Sequence, residues 1–426
     1  MGRRLRSVPG MSKTAFRDRV FDQGRLAMSP PRLHPPLDPV LQLLLLLARL
    51  ELDDAQSQAA RALCQRITDW ARVTHEARQR FILPVVYRHL RLLEAEGLSQ
   101  DQWRDMKRDC LAVIQHNLFM SAAQRQLRDE LLVPLGIPHL FFKGPSLAAR
   151  YYDDPGLRFC RDIDVLVSPE QLVGLLQAAV DRGYTPYMPK GLGRDPGGLA
   201  FAANVHRVVS LLSPQGAPIE IHQQIDGSRM LYATGALLDD AEQHTLDGTP
   251  MAVMPTAELF VYACLHHTRH HWSHLHWLMD IDAIQRHASF DPEAVKACAM
   301  RRRLGTTLEA SLELYRVLST PGPWDEATIS RNGRDLLGAC LTALQGGWEE
   351  EMALRKTRMS KDFAFAWQAS RRHRLHGRMQ GILKFLLPTY ADYHRWPLPR
   401  RWQWVYRLSR PIRKTYSRIT TGRRRP

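Results

Sequence analysis

Arg161-Asp162-Ile163-Asp164-Val165-Leu166-Val167 is the stretch on which the fold turns. From Ile163 to Val167 it is apolar except for Asp164 and rich in branched side chains, and Ser168-Pro169-Glu170 closes it. That pattern is a buried strand followed by a helix start. Side chains alternate along a strand, so Asp162 and Asp164 share one face while Ile163 and Val165 take the other. Two carboxylates this close repel unless a cation lies between them, and hard oxygen donors favour Mg²⁺ or Mn²⁺. Turns and surface strands also produce a D-x-D spacing. Here it opens an apolar strand, where buried charge is costly without a partner.

Upstream, Ile137-Pro138-His139-Leu140-Phe141-Phe142 reads as a short strand ending at Lys143-Gly144-Pro145-Ser146, with a helix over Leu147–Tyr152. A glycine there lets backbone approach a ligand, and a helix N-terminus offers N–H groups to phosphate. Ser146 adds a hydroxyl; a plain strand-to-helix turn accounts for the same residues. Downstream come a helix over 169–182 and strands at Val205–Leu212 and Ile219–Ile225, separated by Ser213-Pro214-Gln215-Gly216. The strands fall within roughly 136–226, and both flanks have helical periodicity. The segments expected are a disordered leader (1–37), a helical region (38–132), a small mixed-sheet core (133–230), a second helical region (250–390) and a basic aromatic tail (391–426). The fold class is α+β.

The combination resembles a known family. Phe142-Lys143-Gly144-Pro145-Ser146-Leu147, Tyr151-Tyr152 through Pro155-Gly156-Leu157-Arg158, the Asp162–Asp164 strand and Ile219-Glu220-Ile221-His222 look like a bacterial family of uncharacterised nucleotidyltransferases. That family lies within the superfamily that includes DNA polymerase β, and its genes are often found near polysaccharide-synthesis genes. The resemblance covers roughly 40–390 and implies roles. Asp162 and Asp164 would ligate Mg²⁺ or Mn²⁺, with Glu220 as third acid, completing the site or deprotonating an acceptor hydroxyl. Gly144 and Ser146 would cradle the phosphates of a nucleoside triphosphate, with Lys143 and Arg158 contacting its oxygens; Arg158 could equally serve as a structural partner of the acids. The reaction implied is transfer of a nucleoside monophosphate to a hydroxyl or phosphate acceptor. Two features depart from the family pattern: Pro145 removes one N–H from the turn, and fifteen residues separate Ser146 from Asp162.

Charge bounds the partners. The 426-residue chain carries a net +16, but residues 371–426 hold sixteen Lys/Arg against Asp392 alone, and residues 1–40 hold eight against three acids. Residues 41–370 are slightly acidic, so a basic polynucleotide groove is not expected in the core. Catalytically weak nucleotide binding or scaffolding is one rival reading, and a nucleic-acid-modifying transferase another. In the tail, Arg401-Trp402-Gln403-Trp404 and the residues after it suit an anionic membrane surface, single-stranded nucleic acid, or packing onto the helical domain. Six dispersed cysteines without a CxxC pair suit a reducing cytoplasm. The leucine run from Val40 to Leu50 is too short to span a bilayer and reads as a core helix; the expected location is cytoplasmic, peripheral at the inner membrane face. His266, His267, His270, His271, His274 and His276 crowd what reads as one helix to about His287, interleaved with Trp272 and Trp277. A helix packed beside the site is expected there rather than a zinc site, with Asp280 and Asp282 facing solvent.

Overall fold

A computed structural model describes residues 37–227, 230–322, 324, 326–356, 367, 370–383 and 386–410. The expected leader, apart from Leu37, and tail residues 411–426 lie outside the described residues. The leucine run forms α1 (Pro39–Leu47), buried from Val40 onward except at Gln42, as expected of a core helix. Asp53 and Gln56 make a capping box for α2 (Asp54–Cys64), and Ser99 and Gln102 another for α5 (Gln100–Leu127). Between these lie α3 (Trp70–Gln79) and α4 (Leu83–Leu92).

A mixed seven-stranded sheet follows, with β1 (His139–Phe141), α6 (Gly144–Tyr151), β2 (Ile163–Val167), α7 (Leu172–Asp181), β3 (Thr185–Met188), α8 (Pro196–Val205), β4 (Val208–Leu212) and β5 (Pro218–His222). Helix α9 (Thr234–Asp239) precedes the hairpin of β6 (Glu242–Leu246) and β7 (Thr249–Val253). The strand order is β3-β4-β5-β2-β1-β7-β6. Strand β2 is central and wholly buried, which is why it reads as an almost continuous apolar run. It pairs antiparallel with β1 and parallel with β5. The hairpin extends the sheet past residue 230; Arg150 at the end of α6 ties it down through Met254 O and Glu242 Oε2, both at 2.9 Å.

Ile163, Val165, Val167, Val209, Leu211, Ile219 and Ile221 belong to the hydrophobic core that α5, α7 and α8 complete. Beyond the sheet, α10 (Thr256–Arg269), α11 (His276–Arg286), α12 (Pro292–Arg301), α13 (Gly305–Ser319) and α14 (Arg331–Lys356) form the second helical region, followed by α15 (Arg371–Leu383) and α16 (Tyr390–Arg395). The α+β fold with helical flanks is the one expected. The single helix expected from Thr256 to His287 is broken, however. Helix α10 ends at Arg269, His271 and Trp272 take positive φ (56° and 52°), and α11 starts at His276.

Candidate metal and phosphate site

Strands β2 and β5 pair Asp164 with Glu220 and Leu166 with His222. Residues two apart on a strand share a face, so Glu220 and His222 stand on the side of the sheet where Asp164 lies. Their donor atoms converge. His222 Nε2 lies 2.9 Å from Asp164 Oδ1 and 3.4 Å from Glu220 Oε2. These three side chains can each bring one ligand atom to within 4.8 Å of the others, and among the described residues this is the one such group of His, Cys, Asp or Glu found. Asp164 is buried, while Glu220 is partly open to solvent. Phe142 and Tyr262 wall the site, the Phe142 ring meeting His222 edge-on at 5.1 Å.

Lys143, the last residue before α6, brings a cation. Its Nζ is 3.4 Å from Asp164 Oδ1 and 3.5 Å from His266 Nε2, and it lies over the Phe142 and Tyr262 rings. Burial opposes the charged forms of Asp164, Lys143 and His222, and at these three the neighbours overrule it. Burial would raise Asp164, yet the Lys143 ammonium and the His222 hydrogen bond hold its carboxyl below the usual range. Burial would lower Lys143 and His222, but Asp164 raises Lys143, and hydrogen bonds to Asp164 and Glu220 raise His222. Asp162 is raised, by burial first and by Asp164 second, despite Arg161 at 3.1 Å. His266 is pushed well below its ordinary value by burial and by Lys143, so its neutral ring can accept from the ammonium.

Asp162 sits one residue ahead of β2, outside the three-donor group, and is coupled to Asp164 through charge. Gly144 has φ of +59°, and a β-carbon there would lie 2.4 Å from the Asp162 carbonyl oxygen. The glycine is thus needed by the chain's own backbone, which brings the turn against the carboxylate strand. The Ser146 hydroxyl donates to Lys143 O at 2.8 Å, leaving the first-turn N–H groups of Gly144 and Ser146 without intrahelical acceptors. Arg158 is not brought among the acids. Its buried guanidinium grips Asp280 twice, at 2.7 and 2.9 Å, and reaches Gly144 O at 3.4 Å. Tyr152 Oη donates to the same carboxylate at 2.7 Å.

Asp280 and Asp282 therefore do not face solvent as expected; both are buried. Two apart on α11, they point to opposite sides of the helix, and each carboxylate is satisfied by partners drawn mostly from other segments. Asp282 accepts from Leu50 N at 2.7 Å, Tyr315 Oη at 2.5 Å and Arg286 Nε at 3.0 Å. The histidines gather around Trp277, with His267 stacked on it at 4.8 Å and His274 edge-on at 5.0 Å. From this segment His266 reaches Lys143 in the site.

Sequence reasoning did not assign His222, His266 or Tyr262 to the site. Period-two spacing from Glu220 was the signal for His222, and for His266 it was the helix expected to pack beside the site; Tyr262, more than a hundred residues from Lys143, had none. The donor set fits a divalent cation. Two carboxylates suit Mg²⁺, and the imidazole leans toward Mn²⁺ or another nitrogen-tolerant ion.

No curated protein matches the chain. A family profile described as uncharacterised nucleotidyltransferase matches residues 67–319, which encloses the turn, the carboxylate strands and the histidine segment. The chain belongs to that family.

Proposed function

For a chain of this nucleotidyltransferase family, we propose metal-dependent transfer of a nucleoside monophosphate from a nucleoside triphosphate to a hydroxyl or phosphate acceptor, with release of pyrophosphate. The observation that carries the reading is the convergence of Asp164, Glu220 and His222 beside the Gly144 turn. Asp164 and Glu220, with Asp162 at the mouth of β2, would hold Mg²⁺ or Mn²⁺. The ion would neutralise charge building on the phosphoryl oxygens and the leaving pyrophosphate. Lys143 binds the triphosphate oxygens as a point charge, and the N–H groups of Gly144 and Ser146 orient them. Arg158 braces the turn through Gly144 O and Asp280 rather than touching phosphate. His222, with Nε2 beside Asp164, would complete the donor set, and Glu220, on the open side, would receive the acceptor's proton. A relationship to the polymerase β-like superfamily, a bacterial source, an envelope-polysaccharide acceptor and a cytoplasmic setting belong to the same reading; six buried cysteines, none in a disulfide, suit the last.

Incubation with labelled nucleoside triphosphates and Mg²⁺ or Mn²⁺, scored by pyrophosphate release across sugar and sugar-phosphate acceptors, tests it. Asp164→Ala and Glu220→Ala should each cut release by about a hundredfold or more. Turnover unchanged in both variants would sink the proposal. A second reading, nucleotide binding without transfer, is favoured by Pro145, which withholds an N–H from the turn. It predicts saturable nucleotide binding with no pyrophosphate under any acceptor.

A further inference from the structure

The C-terminal aromatics divide into two sets. Tyr390, Tyr393 and Tyr406 are used by the fold: Tyr393 stacks on Phe201 of α8 at 4.6 Å, Tyr406 meets the same ring edge-on at 5.6 Å, and Tyr390 is buried in the sheet core. Tyr406 Oη also accepts from Leu398 N at 2.8 Å, which folds the segment back on itself. Trp396, Trp402 and Trp404 are left outside, all about half exposed. Trp402 and Trp404 lie side by side with ring centroids 6.3 Å apart.

Helix α15 repeats the pattern without aromatics. Leu375, Met379 and Leu383 follow one another every fourth residue and so make one stripe along the helix. All three are exposed, Leu375 by 60%. Arg374 and Arg378 immediately precede Leu375 and Met379, which puts guanidiniums alongside the apolar stripe rather than opposite it. Asp392 is the single acid from 371 onward, and it is consumed locally, capping α16 through Thr389 N. An apolar stripe, exposed indoles and flanking arginines without acids match the boundary between lipid headgroups and acyl chains. There indoles and aliphatic groups bury while long basic side chains reach phosphate. A polynucleotide would use the arginines and indoles and leave the leucine–methionine stripe wet.

We propose that α15 and the tryptophan-bearing segment 396–408 form an interfacial anchor for an anionic lipid surface. No described helix is long and apolar enough to cross a membrane, and none is required; the anchor lies in the interface. It does not depend on the transfer reaction, so either can fail alone. The test floats the full-length protein with vesicles of phosphatidylcholine, with or without phosphatidylserine. Binding at least about tenfold tighter to the anionic vesicles, weakening with salt, is expected. The triple variant L375S/M379S/L383S and the double variant W402A/W404A should each lower that binding about tenfold while circular dichroism and thermal midpoint stay at wild-type values. Equal flotation with both vesicles, none with either, or folded variants that float like wild type would overturn it. So would single-stranded RNA binding that the same variants abolish in a protein that ignores vesicles.

Discussion

Three residues carry separable loads around the turn. At Gly144, alanine would place its methyl against the Asp162 carbonyl in a positive-φ backbone. We expect Gly144→Ala to cost about 1–3 kcal/mol and to displace the turn from the carboxylates; a thermal melt paired with pyrophosphate release reads both, and a variant matching wild type in each would refute the contact's importance. Lys143 shares Asp164 with any bound cation. Lys143→Met should therefore leave Mn²⁺ affinity equal or higher while nucleotide affinity drops about tenfold, the worth of one charge-assisted contact. Calorimetry with each ligand separates the two, and a parallel loss of both would argue against a phosphate role. Arg158→Met strands the Asp280 carboxylate in the interior and should cost about 3–5 kcal/mol, largely recovered in Arg158→Met/Asp280→Leu. Urea unfolding of the single and double variants measures the difference.

At the scale of elements, legibility follows burial. Strands β1, β2 and β5 were readable because central strands concentrate apolar residues, and the β4–β5 connection because its turn residues are diagnostic. Strand β3, with only Pro186 of its four residues buried, and β6, buried only at Leu246, lie at the two edges of the sheet, so their sequences lack an apolar run. Helix α8 opens with Pro196-Gly197-Gly198, a poor helix sequence by propensity; the Asp195 cap and the tyrosines packed on Phe201 make up for it. The break between α10 and α11 was hidden because histidine and tryptophan carry no breaker signal, and the left-handed residues His271 and Trp272 are held by burial and by bonds back to α10, His271 N to Thr268 O at 3.1 Å and Trp272 N to His267 O at 2.9 Å. Asp162, Asp164 and Glu220 were legible as a pattern, with Lys143 beside them; the pairings Lys143–His266 and Arg158–Asp280 were not, since they join distant segments.

Across the whole molecule, buried neutral histidines set the response to acid. His89, bonded at 2.8 Å to Arg49 O, is pushed by burial to about 4 from 6.5, and burial drives His267 and His276 well below 6.5 too. Each folded value lies below the unfolded one, so their stabilisation is complete above pH 6.5 and is lost as pH falls toward the folded values; His222, raised in the fold, works the other way. His89 alone accounts for about 3 kcal/mol across that window. Urea midpoints should fall steadily from about pH 7.5 to about pH 5, and His89→Gln should flatten part of the slope; a flat profile in wild type would contradict this. The sheet itself has a further consequence. Ile163, Val165, Ile219 and Ile221 hold the core from one face, while the donors that could hold a metal ion, Asp164, Glu220 and His222, gather on the other. These odd-numbered positions answer to folding, and on the proposed function Asp164, Glu220 and His222 answer to the ion. A substitution at the first set is therefore expected to unfold the sheet, and one at the second to leave it folded and empty the proposed site, so the same two strands can fail in two separable ways.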